Sequence, residues 1–159
     1  VDILSHARTE MEVLKELASD EAAYRSITRS WFLHSPLWQA LRRLEDRKIN
    51  LIFTTDHGTV RVQRPSKVVG DRETTSNLRY KHGRNLQYNN KEVLEFRRPS
   101  DVKLPTPNVS STFIFAKEDT FFAYPNNYNY YVNYFRNTFQ HGGISLEEII
   151  VPIAHFSSK

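Results

Sequence analysis

Apolar residues recur at helical spacing between Ser5 and Arg47, first at Met11, Leu14, Leu17 and Ala18 and then at Trp31, Leu37, Leu41 and Leu44, which predicts two or three helices. Ser35-Pro36 marks the start of the last one, because a serine hydroxyl can take up exposed amides while proline at the first helical position forfeits no hydrogen bond. Ser19-Asp20 offers a second place for a cap. The pattern then changes: Ile49 to Thr55 is a short β-prone run that reads as a buried strand with Asp56-His57-Gly58 at its C-terminal end, where sites form in open α/β sheets. Thr59 to Val62 alternates weakly and leads into a Gly- and Asn-punctuated basic stretch to about Asn90, read as loop with short strands. Further strands are predicted at Val93–Phe96, Thr112–Ala116 and Thr120–Tyr124, the last two spaced as a hairpin about Lys117-Glu118-Asp119. Pro99, Pro105 and Pro107 mark a connector. Asn126 to Phe139 holds six aromatics in fourteen residues, and periodicity does not separate helix from strand there; it is read as helix, packing beneath His141. Ser145-Leu-Glu-Glu148 has capping-box spacing and opens a short helix before a final strand at Ile149–Ile153. There is no internal repeat.

At 159 residues with 39% apolar content, the chain suffices for one core, so one domain or a piece of one is expected. No apolar run approaches a membrane span and the first residues do not read as a signal peptide, so membrane insertion is not expected. The absence of cysteine excludes disulfides and thiolate ligands, fits a cytoplasmic location, and leaves His and carboxylate to hold any transition metal. The start at Val1, without Met, suggests a fragment whose N-terminus lies upstream. Net charge is +4, yet Arg61 to Arg84 alone carries seven Arg or Lys against two acids. That segment is where an anionic partner is expected.

Three points place histidine beside a carboxylate or paired glycine: Asp2 with His6, Asp56 with His57, and His141 before Gly142-Gly143. Singly, each has an ordinary reading as a surface pair, a turn or a helix end. His34, His82 and His155 have no such setting. Together the three points supply five nitrogen and oxygen ligands, which suit zinc and exceed what one ion normally takes. That count points to a two-metal site and to displacement at phosphorus or a related centre.

Phe-Thr-Thr-Asp56-His57-Gly58, preceded by Asp2-x-x-x-His6 and followed by His141-Gly-Gly, resembles the ordered ligand set of the alkaline-phosphatase superfamily. The resemblance implies an α/β fold with a largely parallel sheet flanked by helices, incomplete in this chain. It assigns Asp2, His6 and His141 to one zinc and Asp56 and His57 to the second. Pro65-Ser-Lys-Val-Val-Gly-Asp71-Arg72-Glu-Thr, Asn77-Leu-Arg79-Tyr-Lys81 and Asn137-Thr-Phe-Gln-His141-Gly-Gly-Ile-Ser-Leu-Glu-Glu148 resemble, more narrowly, the PglZ effector domain of PorX-type response regulators. This implies phosphodiester hydrolysis of short linear or cyclic oligonucleotides, a receiver domain upstream and a link to control of protein secretion. A homodimer stays open. The family draws a further Asp and a Thr nucleophile from a segment before the first motif; Thr54, Thr55 and Thr59 do not match that position, so no catalytic nucleophile is named and the isolated chain is expected to be inactive. Lys67, Arg72, Arg79 and Lys81 are candidates for gripping substrate phosphates, with Tyr80 and Tyr88 as stacking surfaces, against the alternative of a solvated basic face. The competing reading for the whole is a regulatory protein-interaction module with a structural zinc site.

Overall fold

A computed structural model describes residues 20–45, 47–108 and 110–157. Contacts divide the chain into two units, one comprising residues 1–55 with 152–159 and the other residues 56–151.

In the first unit, Asp20 opens helix α1 (Glu21–His34) by accepting the Ala23 amide on its carboxylate at 2.8 Å. Ser35 does two tasks: its hydroxyl donates to Phe32 O at 2.7 Å, closing α1, and accepts the Trp38 amide at 3.1 Å, opening α2 (Pro36–Arg42). Both predicted caps therefore form. Strand β1 (Asn50–Thr54) pairs antiparallel with β9 (Ile153–Ser157), with Leu51 opposite Phe156 and Phe53 opposite Ala154. The expectation of a buried strand is corrected here. Leu51 and Phe53 are half-buried while Ile52 is 64% exposed, the alternation of a two-stranded ribbon with one covered face. The final strand also begins later than its apolar run suggests. Ile149 is taken by the preceding helix, and the pairing starts only after Pro152, which has no amide to donate to a ladder.

The second unit holds strands β2 (Val60–Arg61), β3 (Arg64–Lys67), β4 (Tyr80–Gly83), β5 (Val93–Phe96), β6 (Thr112–Ala116), β7 (Thr120–Ala123) and β8 (Phe139–Gln140), a 3-10 turn at Pro99–Val102, and helices α3 (Tyr128–Phe135) and α4 (Leu146–Ile149). Among the described residues only β3 with β7 is parallel; β2 with β8, β4 with β6 and β5 with β6 are antiparallel, so the expected largely parallel sheet is met by that one pair among several small sheets. Connection length explains the one exception: a parallel pair needs a long crossover, and the chain between β3 and β7 is long enough to supply it. A tight turn does form at Lys117–Asp119, with Glu118 at φ +48° and the Thr120 amide bonded to Lys117 O at 3.0 Å. Its two strands nevertheless do not pair as a hairpin. The carbonyls of Leu78 and Arg79 take the amides of Phe122 and Ala116, so that segment captures both strands.

Strand β7 organises the core. Consecutive side chains on a strand point to opposite faces. Phe121 accordingly joins Val60, Val62, Ala123 and Val132 in one cluster, while Phe122 joins Val68, Val93, Ile114 and Ala116 in another. The Tyr- and Asn-rich stretch forms α3 over part of the expected range, with Phe139 passing into β8, and the helix buries only Val132 of its eight residues. No helix among the described residues is long and apolar enough to cross a membrane.

Candidate functional site

The site grows from two loops of the second unit. At the first, the His57 amide donates to Asp56 Oδ1 at 3.1 Å and the His57 ring Nδ1 lies 2.9 Å from Gly58 O. A carbonyl can only accept, so this contact favours the proton on Nδ1 and turns Nε2 toward Asp56 Oδ2, 3.8 Å away. Asp56 is exposed and His57 half-buried, side chains 84% and 27% accessible. The loop is clamped from behind. The Gly58 amide donates to Glu148 O at 2.8 Å, and a Cβ on Gly58 would stand 1.9 Å from Glu147 O, so any larger residue would push the loop off α4.

The second loop begins at His141, whose ring stacks on that of His57 with centroids 4.0 Å apart and planes 13° from parallel. Gly142 adopts φ +96°, a left-handed conformation suited to glycine. Asn77 reaches across to donate from Nδ2 to His141 O at 3.4 Å, and its Oδ1 accepts the amides of Arg79 and Tyr80 at 2.7 and 3.1 Å. Glu148 completes the support. Its carboxylate takes the amide of Gly143 at 2.9 Å and that of Ser145 at 3.1 Å, the latter being one half of the capping box.

The same carboxylate receives Arg79 in a two-pronged pair, Nε to Oε1 and Nη2 to Oε2, each at 2.9 Å, with both side chains essentially buried. Burial pushes the Glu148 carboxyl up, but the hydrogen bonds and charge of Arg79, with those from Ser145, outweigh it and hold the group below the usual carboxylate range. Arg79 Nη1 also donates to Thr120 O. Arg79 is therefore corrected from a surface phosphate-gripping cation to an internal brace, with 0% exposure. Lys81 is buried too: its Nζ donates to Thr75 O at 2.7 Å and lies 4.7 Å from the centre of the Tyr124 ring. Lys67 and Arg72 are exposed as the sequence reading requires. Arg64 is paired with Glu118 and Asp119, and Arg84 with Glu73 at 3.1 Å, so part of the basic segment answers acids of the chain itself. Tyr80 packs on Phe115 and Tyr88 donates to Glu95, which turns both inward, away from the open stacking role.

Of the five expected metal ligands, the structure brings Asp56, His57 and His141 into one neighbourhood, and Asp2 and His6 lie outside the described residues. Among the described residues no group of three or more His, Cys, Asp or Glu converges as a complete metal site. By donor chemistry, Asp56 and His57 are the pair that could share an ion: an imidazole whose Nδ1 is engaged by a carbonyl presents Nε2 in the manner of a metal ligand. Sequence reasoning missed Asn77 and Glu148 as parts of the site. Glu148 had a local signal, the capping box, but nothing in the sequence links it to Gly58 or Arg79.

The family model described as the BREX system PglZ alkaline phosphatase-like domain matches residues 1–156. A fold of mixed α/β type, with the Asp56-His57 loop laid against His141, thus falls in the alkaline-phosphatase-like class, whose type of function is phosphoester hydrolysis. The chain belongs to the PglZ family. No curated protein matches it.

Proposed function

We propose that the intact protein is a zinc-dependent phosphodiesterase acting on short linear or cyclic oligonucleotides, as the effector domain of a PorX-type response regulator linked to control of protein secretion. The observation that carries this reading is the stacking of His141 on His57 beside Asp56, three ligand-type side chains from two segments far apart in the chain. In this reading Asp56 and His57 hold one zinc, and His141 joins Asp2 and His6 at the other. Zinc bound there would polarise the phosphoryl oxygens and stabilise the leaving oxygen. The chain's own part is orientation. Gly58 O fixes the His57 ring, Asn77 and Glu148 fix the loop that carries His141, and Lys67 and Arg72 draw the substrate's phosphates inward.

The test is zinc content together with turnover. The intact protein is expected to bind zinc and to hydrolyse bis(p-nitrophenyl) phosphate and short oligonucleotides, and His57→Ala or His141→Ala is expected to lower bound zinc. Zinc content untouched by both substitutions overturns the ligand assignment. Full loading without turnover of either substrate overturns the phosphodiesterase reading in favour of a regulatory module with structural zinc. Lys67→Ala and Arg72→Ala should each reduce the slope of log affinity against log salt by about one if each holds a phosphate.

A further inference from the structure

The stretch from Tyr124 to Gln140 does more than pack. One side of it lines a cavity of about 550 Å³ within the second unit, inside the roughly 300–1,000 Å³ range of small-molecule sites. Four aromatic side chains, Phe122, Tyr124, Tyr131 and Phe135, line it, and Asn77, Asn126 and Gln140 supply amides, each able to donate and accept. Among the described residues of the lining Lys81 is the one charged group, and no carboxylate accompanies it.

The lysine sets the polarity of the cavity. An ammonium has three hydrogens to donate; Thr75 O takes one, and the Tyr124 ring lies against the group at 4.7 Å. Burial lowers its pKa to about 8, so it carries a proton at neutral pH but holds it loosely. A single, loosely charged donor is a poor seat for a phosphate dianion, which calls for several cations or amides. It suits a neutral planar ring that carries carbonyl or ring-nitrogen acceptors. Ring faces for stacking and side-chain amides for edge contacts are what an unpaired nucleobase is recognised by.

Position supplies the second argument. Gln140 precedes His141 in the chain, and Asn77 both lines the cavity and donates to His141 O at 3.4 Å. The wall of the cavity thus adjoins the loop that carries His141. We propose that this cavity is a nucleobase subsite that seats the base next to the phosphate to be cleaved, a statement whose second half rests on the phosphodiesterase reading.

Binding and turnover separate the two halves. In equilibrium titrations of the full chain followed by tyrosine and tryptophan fluorescence, adenosine 5′-monophosphate should bind at least about tenfold more tightly than ribose 5-phosphate, the scale of one base stacked on an aromatic ring. Tyr131→Ala, at a partly exposed position that the core does not depend on, should erase most of that difference; Lys81→Met should reduce it. Equal affinities for the two ligands, or selectivity indifferent to Tyr131→Ala, overturn the subsite whatever becomes of Lys81→Met. Hydrolysis of methyl p-nitrophenyl phosphate by the zinc-loaded intact protein reports on the chemistry alone. Turnover without base selectivity sinks the subsite and spares the phosphodiesterase reading, while base selectivity without turnover does the reverse.

Discussion

At the Arg79–Glu148 pair two charges are withdrawn from water, a cost of several kcal/mol per ion that only close geometry and further hydrogen bonds recover. Here both are present: two 2.9 Å contacts between the side chains, and backbone amides of Gly143 and Ser145 on the same carboxylate. Removing one partner strands the other. Glu148→Gln is expected to destabilise the second unit by roughly 3–5 kcal/mol, measured by urea unfolding, because the Arg79 guanidinium stays buried without its counter-charge. Arg79→Lys should also be costly, since an ammonium cannot reproduce the fork that meets both carboxylate oxygens. The same variants should weaken zinc binding, because Glu148 holds the loop that begins at His141. A loss of oligonucleotide affinity with stability unchanged would instead return Arg79 to a direct substrate contact. Its position in a basic run made it look like surface, and its partner lies 69 positions away, beyond any local pattern.

Elements follow the sequence closely where their signals are local. Asp20 and Ser35 cap the two described helices of the first unit as expected, and Asp20→Ala and Ser35→Ala should each lower stability by about 1 kcal/mol in thermal unfolding. The loops of the site depend instead on what lies behind them. Gly58→Ala would set a methyl group 1.9 Å from Glu147 O, and Gly142→Ala would have to hold φ +96° with Asn77 Nδ2 2.8 Å from the new carbon. Each is expected to cost roughly 1–3 kcal/mol and to lower zinc affinity by displacing a histidine loop. Gly70→Ala is the control. Its close neighbours are side-chain atoms of Thr74 and Leu86, so it should disturb stability without disturbing metal binding. Wild-type zinc affinity in both loop variants would show that the loops do not position the ligands.

For the molecule as a whole, two of the buried ionisable groups, Glu148 and Lys81, act at opposite ends of the pH scale. Glu148 titrates below its unfolded value of 4.5, so the unfolded chain binds more protons in that range and the stability it contributes is lost as pH falls through the folded pKa. Lys81 is the reverse case. Its folded pKa is about 8 against 10.5 unfolded, so between those values the unfolded chain is the more protonated and stability rises with pH. Urea midpoints compared between wild type and Lys81→Met should diverge across that window, the wild type gaining relative to the variant. Parallel profiles would mean that Lys81 keeps its ordinary proton affinity in the folded state.

The sequence by itself determined the helix caps, the positions of β1, β5, β6 and β7, and the motifs that mark the PglZ family, because each is written in a few neighbouring residues or in a fixed order along the chain. It also singled out Asp56, His57 and His141 before any geometry was available. Only the tertiary structure decided which strands pair and in which sense, since pairing depends on which segment reaches an open edge: the 78–79 backbone takes the amides that a hairpin would have used. It likewise decided which cations face solvent. Arg79 and Lys81 sit two residues apart in a basic run, yet one is drawn under α4 by Glu148 and the other lines a cavity of aromatic rings, because burial is settled by partners that the chain brings from far along its length.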